Sequence, residues 1–193
     1  TGFWERGGQI KTVLLLCSFF FFIVGLGGPS IGTEVREIEQ QGVDMLILLD
    51  LSRSMNAEDI RPSRLEKAKF EIQRVIDRLP GDRIGLIVFT GDAFVQSPVT
   101  QDHSALRMFL DIAGTRQMPN TTTRFDRALE RALETFRAME LRQDAARVIL
   151  LVSDGEDQGE GYTQPLSALT SEGVVVFTAG IGTPSGGRIP IYE

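Results

Sequence analysis

Apolar residues along the chain follow two patterns, which predict strands and helices in alternation. Continuous β-branched and leucine-rich runs are typical of strands that are covered on both faces. Such runs predict strands at Val43–Leu49, Arg83–Thr90, Arg147–Ser153 and Val174–Gly180. After the second run, the turn Gly91-Asp92 leads into a shorter run, Ala93–Gln96, which predicts an antiparallel hairpin at the edge of the sheet.

Between these runs, apolar residues recur every three to four positions and predict helices. Ser63 and Glu66 have the spacing of a capping box, and Asp102 is the candidate cap of the next helix. The clearest helical face consists of Phe125, Ala128, Leu129, Ala132, Leu133, Phe136 and Met139. A weaker helical pattern lies near Pro165–Ser171. The alternation predicts a doubly wound, Rossmann-like α/β fold, with a mostly parallel sheet flanked by helices.

The most apolar stretch, Val13–Gly28, lies ahead of the first predicted strand. Its length is close to the ~20 residues that a membrane-spanning helix needs. We therefore interpret residues 12–28 as one transmembrane helix that precedes the α/β domain. A signal peptide is the alternative, with Lys11 before an apolar core and small glycines at the cleavage site. A buried core helix is a third alternative, but four consecutive phenylalanines without a polar face argue against it.

Charged residues on either side of this segment predict its orientation. Arg6 and Lys11 lie before it, whereas the residues after it include Glu34, Glu37 and Glu39. Because basic residues are enriched on the cytoplasmic side of a membrane span, we expect a cytoplasmic N-terminus. The folded domain is then expected on the extracytoplasmic side of the cell membrane.

These segments predict a simple domain organisation. Residues 1–11 are an N-terminal flank, 12–28 the transmembrane helix, 29–42 a linker and 43–193 the folded domain. The chain begins with Thr1 rather than Met and ends just after turn-forming residues. We therefore expect both ends to continue into a longer protein.

Composition and charge exclude some classes of function. The 193 residues carry a formal net charge of −6, and an acidic domain lacks the basic surface that nucleic-acid binding requires. Cys17 is the single cysteine of the sequence, so neither an intramolecular disulfide nor a cysteine-based metal site can form.

Oxygen-bearing side chains follow the predicted strands at three places. Asp50, Ser52 and Ser54 come directly after the first strand, Asp154 follows a later one, and the threonines of Thr121–Thr123 precede a helix. Ligands of an open parallel sheet bind at the carboxyl ends of its strands, so these loops are expected to meet. Each residue alone could be an ordinary turn or cap residue. Together they predict a site for a hard divalent cation, which prefers oxygen ligands.

The same residues carry a resemblance to a known family. The D-x-S-x-S sequence, a threonine before a T-x-x-x-x-A-L helix and the S-D-G-E sequence together resemble the metal-ion-dependent adhesion site (MIDAS) of von Willebrand factor A (VWA) domains. Longer segments are similar to BatA/BatB-type aerotolerance membrane proteins, namely DLSRSMNAEDIRPSRLEKAK, GDRIGLIVFTGDAFVQSPVT, VSDGEDQGEG and AGIGTPSGGRIPIY. The resemblance covers Gly42 to the C-terminus. Such proteins carry an N-terminal membrane span, a VWA domain and usually a second span.

The resemblance implies a set of metal ligands and a mode of binding. The ligands would be Asp50, Ser52, Ser54, Thr123 and Asp154, with Thr123 selected over Thr121 and Thr122 by its distance to Ala128-Leu129. The metal would be Mg²⁺ or Mn²⁺, with one coordination position left for an Asp or Glu carboxylate of a partner protein. The domain would then be an adhesion or assembly module with no catalytic and no organic-cofactor site. Implied partners are other VWA or Bat proteins and a MoxR-type AAA+ ATPase system, in a stress or aerotolerance setting.

Two alternative functions are weighed against this one. A Mg²⁺-dependent phosphotransferase of similar fold would carry a second carboxylate two residues after the first, where this chain has Ser52. No G-x-G-x-x-G opens a helix after the first strand. The other alternative is a structural membrane scaffold whose metal site no longer functions.

Overall fold

The computed structural model describes most of the chain, namely residues 11, 13–23, 42–118, 122–140, 142, 145–159 and 161–190. It divides into two units, Thr1–Gln40 and Gln41–Glu193. In the first unit, residues 13–23 are helical and their side chains are exposed. Within the described ranges, no helix has both the length and the apolar character needed to cross a membrane. Residues 12 and 24–28 of the predicted span lie outside those ranges, as does nearly all of the predicted linker.

The second unit is built on a five-stranded sheet with the order β3-β2-β1-β4-β5. Its strands are β1 (Val43–Asp50), β2 (Arg83–Phe89), β3 (Ala93–Thr100), β4 (Ala146–Ser153) and β5 (Val174–Gly180). β1 is parallel to both of its neighbours, β2 and β4, and β4 is parallel to β5. β3 pairs antiparallel with β2 at one edge. The mostly parallel sheet and the antiparallel edge hairpin are therefore confirmed.

β3 differs from its prediction because it is longer. It continues to Thr100, whereas the sequence pattern predicts an end at Gln96. Pro98 lies within this extension. A proline normally argues against a strand because it has no N–H to donate. An edge strand tolerates it, and register shifts in the pairing with β2 accommodate the irregular segment.

Helices cover the sheet on both sides. They are α1 (Arg64–Arg78), α2 (His103–Ile112), α3 (Phe125–Ala138) and α4 (Thr163–Ser171), with short 3₁₀ turns at Arg53–Asn56 and Thr115–Gln117. Both predicted caps are present: Ser63 Oγ accepts the N–H of Glu66 at 3.2 Å, and Asp102 accepts the N–H groups of Ser104 and Ala105 at 3.1 Å each.

β1 lies at the centre of two hydrophobic cores. Ile47 and Leu49 pack against α1 and α2 on one face, and Leu46 and Leu48 pack against α3 and α4 on the other. All four side chains are completely buried, and each such burial contributes roughly 1.5–3 kcal/mol. The strand that carries Asp50 at its end is therefore a rigid base for the loops beyond it.

An ion-pair cluster fixes the beginning of β1. Asp44 is 1% exposed, and its carboxylate accepts two hydrogen bonds from Arg83 and one from Arg142. Burial opposes ionisation of Asp44, but the bonds from the two arginines outweigh it and lower the pKa of this carboxyl below its usual value.

Candidate metal centre

Asp50 is the last residue of β1 and is completely buried. One oxygen, Oδ1, accepts the backbone N–H of Ser52 at 2.7 Å, and the other, Oδ2, accepts the hydroxyl of Ser153 at 2.7 Å. Ser153 ends β4, the strand beside β1. The carboxylate is therefore held from its own loop and from the neighbouring strand, so its orientation is fixed.

Ser52 and Ser54 are brought together by a tight turn. Ser52 precedes the 3₁₀ turn Arg53–Asn56, and its backbone carbonyl accepts the N–H of Met55 at 3.1 Å. The Met55 side chain is completely buried and anchors the turn in the core. As a result, the hydroxyl oxygens of Ser52 and Ser54 lie 2.9 Å apart and both residues are buried.

Asp154 lies immediately after β4, with a side chain that is 1% exposed. Its Oδ2 accepts a hydrogen bond from Nη1 of Arg64 at 2.8 Å. The pKa of Asp50 is raised to about 6: burial is the largest cause, the negative charge of Asp154 adds to it, and hydrogen bonds from Ser153 and Ser52 oppose the rise. The two carboxylates are thus close enough to repel each other.

Thr123 is 2% exposed and precedes α3. Its backbone carbonyl accepts the N–H of Gln158 at 2.9 Å, which joins the loop to the segment after β4. The N–H of the next residue, Arg124, donates to the carbonyl of Thr90 after β2 at 2.9 Å. Thr122 is exposed and Thr121 lies outside the described residues. Of the two described threonines, only Thr123 is buried among these loops.

The donor set fits a hard divalent cation. It combines two buried carboxylates, Asp50 and Asp154, with the paired hydroxyls of Ser52 and Ser54. Mg²⁺ is commonly held by one or two carboxylates together with water. Where the structure describes the chain, no cluster of three or more His, Cys, Asp or Glu residues is suited to a metal. The sparse, all-oxygen arrangement therefore suits a hard divalent cation such as Mg²⁺.

Three contacting residues were not predicted from the sequence. Ser153 supports Asp50, and Arg64 binds both Asp154 and Asp59. Asp59 in turn accepts both the backbone N–H and the hydroxyl of Thr183, each at 2.9 Å. Arg64 offers one sequence signal: an arginine in the first turn of a helix faces the positive end of the helix dipole and is favourable only beside anions.

Comparisons with known proteins agree with the fold. The family model of the von Willebrand factor type A domain matches residues 45–156. A conserved hypothetical protein, BatB from Bacteroides thetaiotaomicron, superimposes with a TM-score of 0.72 at 38% identity, over 78% of this chain and 72% of that one. An aerotolerance-related membrane protein from Bacteroides fragilis NCTC 9343 gives a TM-score of 0.72 at 37% identity, over 78% and 73% of the two chains.

More distant relatives extend the comparison. A UPF0353 protein of Mycobacterium tuberculosis (strain ATCC 25177 / H37Ra) is 30% identical over 192 residues, which cover 94% of this chain and 56% of that protein. The chain thus spans little more than half the length of the curated relatives it matches. Proximal thread matrix protein 1 from the mussel byssus, solved with a zinc-occupied MIDAS motif, gives a TM-score of 0.62 at 19% identity, over 74% of this chain and 38% of that one. At that identity it supports the fold alone.

Proposed function

Because the chain belongs to the von Willebrand factor type A domain family, we propose that it binds a divalent cation, Mg²⁺ or Mn²⁺, and mediates metal-dependent protein–protein interaction. The proposed ligands are Asp50, Ser52, Ser54, Thr123 and Asp154. The observation that carries this proposal is the buried carboxylate of Asp50, fixed beside the paired serine hydroxyls and near a second buried carboxylate.

Each part of the site has a distinct role in this proposal. Asp50 supplies the charge, and its two hydrogen bonds hold the carboxylate in one orientation before any ligand arrives. Ser52 and Ser54 supply neutral hydroxyl oxygens, which the 3₁₀ turn holds next to each other. A bound divalent cation would supply an open coordination position that a partner's Asp or Glu carboxylate can fill. The two proposed carboxylate ligands balance the charge of one divalent cation, so they leave no excess negative charge that would repel that partner.

The domain acts in this proposal as an interaction module rather than an enzyme. Asp50 is followed two residues later by Ser52, so the site lacks the paired nucleophile and acid of a phosphotransferase. Each oxygen of the buried Asp50 carboxylate accepts one hydrogen bond, which fixes its orientation and leaves a lone pair on each oxygen for a cation.

Location and partners belong to the same proposal. We place residues 12–28 in the cell membrane and the domain on its extracytoplasmic side. The exposed apolar side chains of residues 13–23 support a membrane anchor, as does the similarity to a Bacteroides fragilis protein described as an aerotolerance-related membrane protein. The proposed partners are other Bat-type VWA proteins and a MoxR-type AAA+ ATPase system, acting in stress or aerotolerance.

Calorimetric titration tests the metal site. Mg²⁺ and Mn²⁺ are titrated into the detergent-purified chain, into Asp50→Ala and Asp154→Ala, and into Asp77→Ala as the control. Asp77 has a 62% exposed side chain on α1. We expect saturable binding in the wild type and the control, and its loss in both site variants. Absence of metal-dependent heat in the wild type, or unchanged binding in Asp50→Ala, would contradict the metal site and favour the scaffold alternative.

Metal-dependent protein–protein interaction is tested separately, with the wild type and Asp50→Ala. Affinity capture from detergent-solubilised membranes is carried out with Mg²⁺ or with a chelator. A protein retained by the wild type with Mg²⁺, and lost both with chelator and with Asp50→Ala, is the expected result. A protein retained equally under all three conditions would show that docking does not use the metal.

A further inference from the structure

Arg64 is a buried cation beside the metal centre that the proposed ligand set does not include. It is the first residue of α1, and only 8% of its surface is exposed. Its guanidinium contacts two carboxylates. Nε and Nη2 donate to the two oxygens of Asp59 at 2.8 and 3.0 Å, while Nη1 donates to Oδ2 of Asp154 at 2.8 Å.

The two contacts are unequal. The contact to Asp59 is bidentate, which is the stronger and more specific arginine–carboxylate geometry. The contact to Asp154 uses a single N–H group. A competing cation would therefore displace Arg64 from Asp154 more readily than from Asp59.

Asp59 is fixed on its other side. Both the N–H and the hydroxyl of Thr183 donate to its Oδ2 at 2.9 Å. The backbone at Gly187 also packs so closely that a Cβ placed there would lie 2.8 Å from Cβ of Asp59. Asp59 is thus an anchored anion, and Arg64 remains tethered to it whether or not Asp154 is engaged.

The charges explain why a tethered cation is needed. Asp50 and Asp154 are both buried, and their negative charges repel each other. A buried charge without a partner is costly, so a protein without metal must compensate at least one of them. The guanidinium of Arg64 does so at Asp154.

We propose that Arg64 is an internal counter-cation that competes with the divalent metal for Asp154. Without metal, Arg64 neutralises Asp154 and keeps the site folded. When metal binds, the cation takes over Asp154 and Arg64 stays paired with Asp59. Arg64 is therefore a positioning residue that lowers metal affinity in exchange for a stable metal-free state. This inference rests on the metal binding proposed above.

Two substitutions are expected to shift metal affinity in opposite directions. Arg64→Gln removes the competitor, so Mg²⁺ binding measured by calorimetry should tighten by roughly tenfold, within the usual range for coupled ligands. Its melting temperature in chelator should fall, and its rise on adding Mg²⁺ should exceed that of the wild type. Asp59→Asn releases Arg64 to bind Asp154 alone, so Mg²⁺ binding should weaken.

Arg53→Gln is the matched control. Arg53 is exposed and lies in the Asp50–Ser54 loop. Its substitution therefore removes one positive charge near the site without changing the contact to Asp154. We expect its Mg²⁺ affinity to change much less than that of Arg64→Gln. Equal tightening in both variants would overturn the inference, because it would show a general charge effect.

The remaining outcomes are also decisive. Unchanged or weaker binding in Arg64→Gln overturns the inference while the wild-type titration still supports the metal site. If Arg64→Gln does not fold, Asp59→Asn decides, and unchanged or tighter binding there overturns the inference. Absence of Mg²⁺ binding in the wild type overturns the proposed function and this inference together.

Discussion

Replacing Asp44 by asparagine is expected to destabilise the domain strongly without touching the metal centre. Asp44 and Asp50 lie near opposite ends of β1, separated by about 20 Å at the ~3.3 Å rise of a strand residue. The substitution keeps the size of the side chain but leaves Arg83 and Arg142 without their shared anion.

The size of the effect follows from the exposure of the partners. Removing one member of a fully buried ion pair costs about 3–5 kcal/mol. Here the Asp44 side chain is 1% exposed, but those of Arg83 and Arg142 are 22% and 36% exposed and can be partly solvated. We therefore expect Asp44→Asn to lower the free energy of unfolding by about 2–3 kcal/mol at neutral pH.

The difference in unfolding free energy between the wild type and Asp44→Asn should also depend on pH. The folded-state pKa of Asp44 is lowered. Its stabilising contribution is therefore complete above the unfolded-state value of about 3.9, and it is lost as the pH falls through the lowered folded-state value. The gap between wild type and Asp44→Asn should narrow as the pH is lowered from about 5 to about 3.

Urea unfolding in chelator, followed by far-ultraviolet circular dichroism at each pH, measures this gap. Asp77→Asn is the control, since Asp77 pairs with Arg107 on the surface and should cost less than about 1 kcal/mol. A gap below about 0.5 kcal/mol at neutral pH, or one that stays constant on acidification, would refute the reasoning.

Two further predictions test single hydrogen bonds. Ser153→Ala removes the hydroxyl that orients Asp50, so its Mg²⁺ affinity measured by calorimetry should fall by about 10–100-fold. An affinity equal to that of the wild type would mean that this hydrogen bond is not needed. Asp102→Ala removes the cap of α2 and should lower the free energy of unfolding by about 1 kcal/mol in urea titrations with unchanged Mg²⁺ affinity, whereas Asp102→Asn, a good cap, should stay close to the wild type.

The sequence predicted the elements well because they depend on local patterns. Continuous apolar runs locate β1, β2, β4 and β5 to within one residue at every end, and the sequence identifies both Ser63 and Asp102 as caps. The loops that carry Asp50, Ser52, Ser54 and Asp154 also follow from the rule that parallel strands end at one edge. Local pattern and topology were sufficient for these features.

The ion pairs could not be predicted in the same way, because they join residues far apart in the sequence. Arg64 and Asp154 are separated by 90 positions, and Asp44 and Arg142 by 98. Nothing in the local sequence of a charged residue identifies its partner. The lateral order of the strands decides which charges meet, and that order becomes visible only in three dimensions.

The two ends of β1 show how the fold separates structure from function. Asp44 and Asp50 are both buried aspartates on one strand, so burial disfavours the charge of each. At Asp44, bonds from Arg83 and Arg142 outweigh burial and lower the pKa. At Asp50, burial prevails, the pKa rises to about 6, and the nearby cation, Arg64, bonds to Asp154 instead. An uncompensated buried carboxylate costs stability, and such groups cluster at functional sites. The excess negative charge at the Asp50 end is what a divalent cation would neutralise, and the Asp44 end has no such excess.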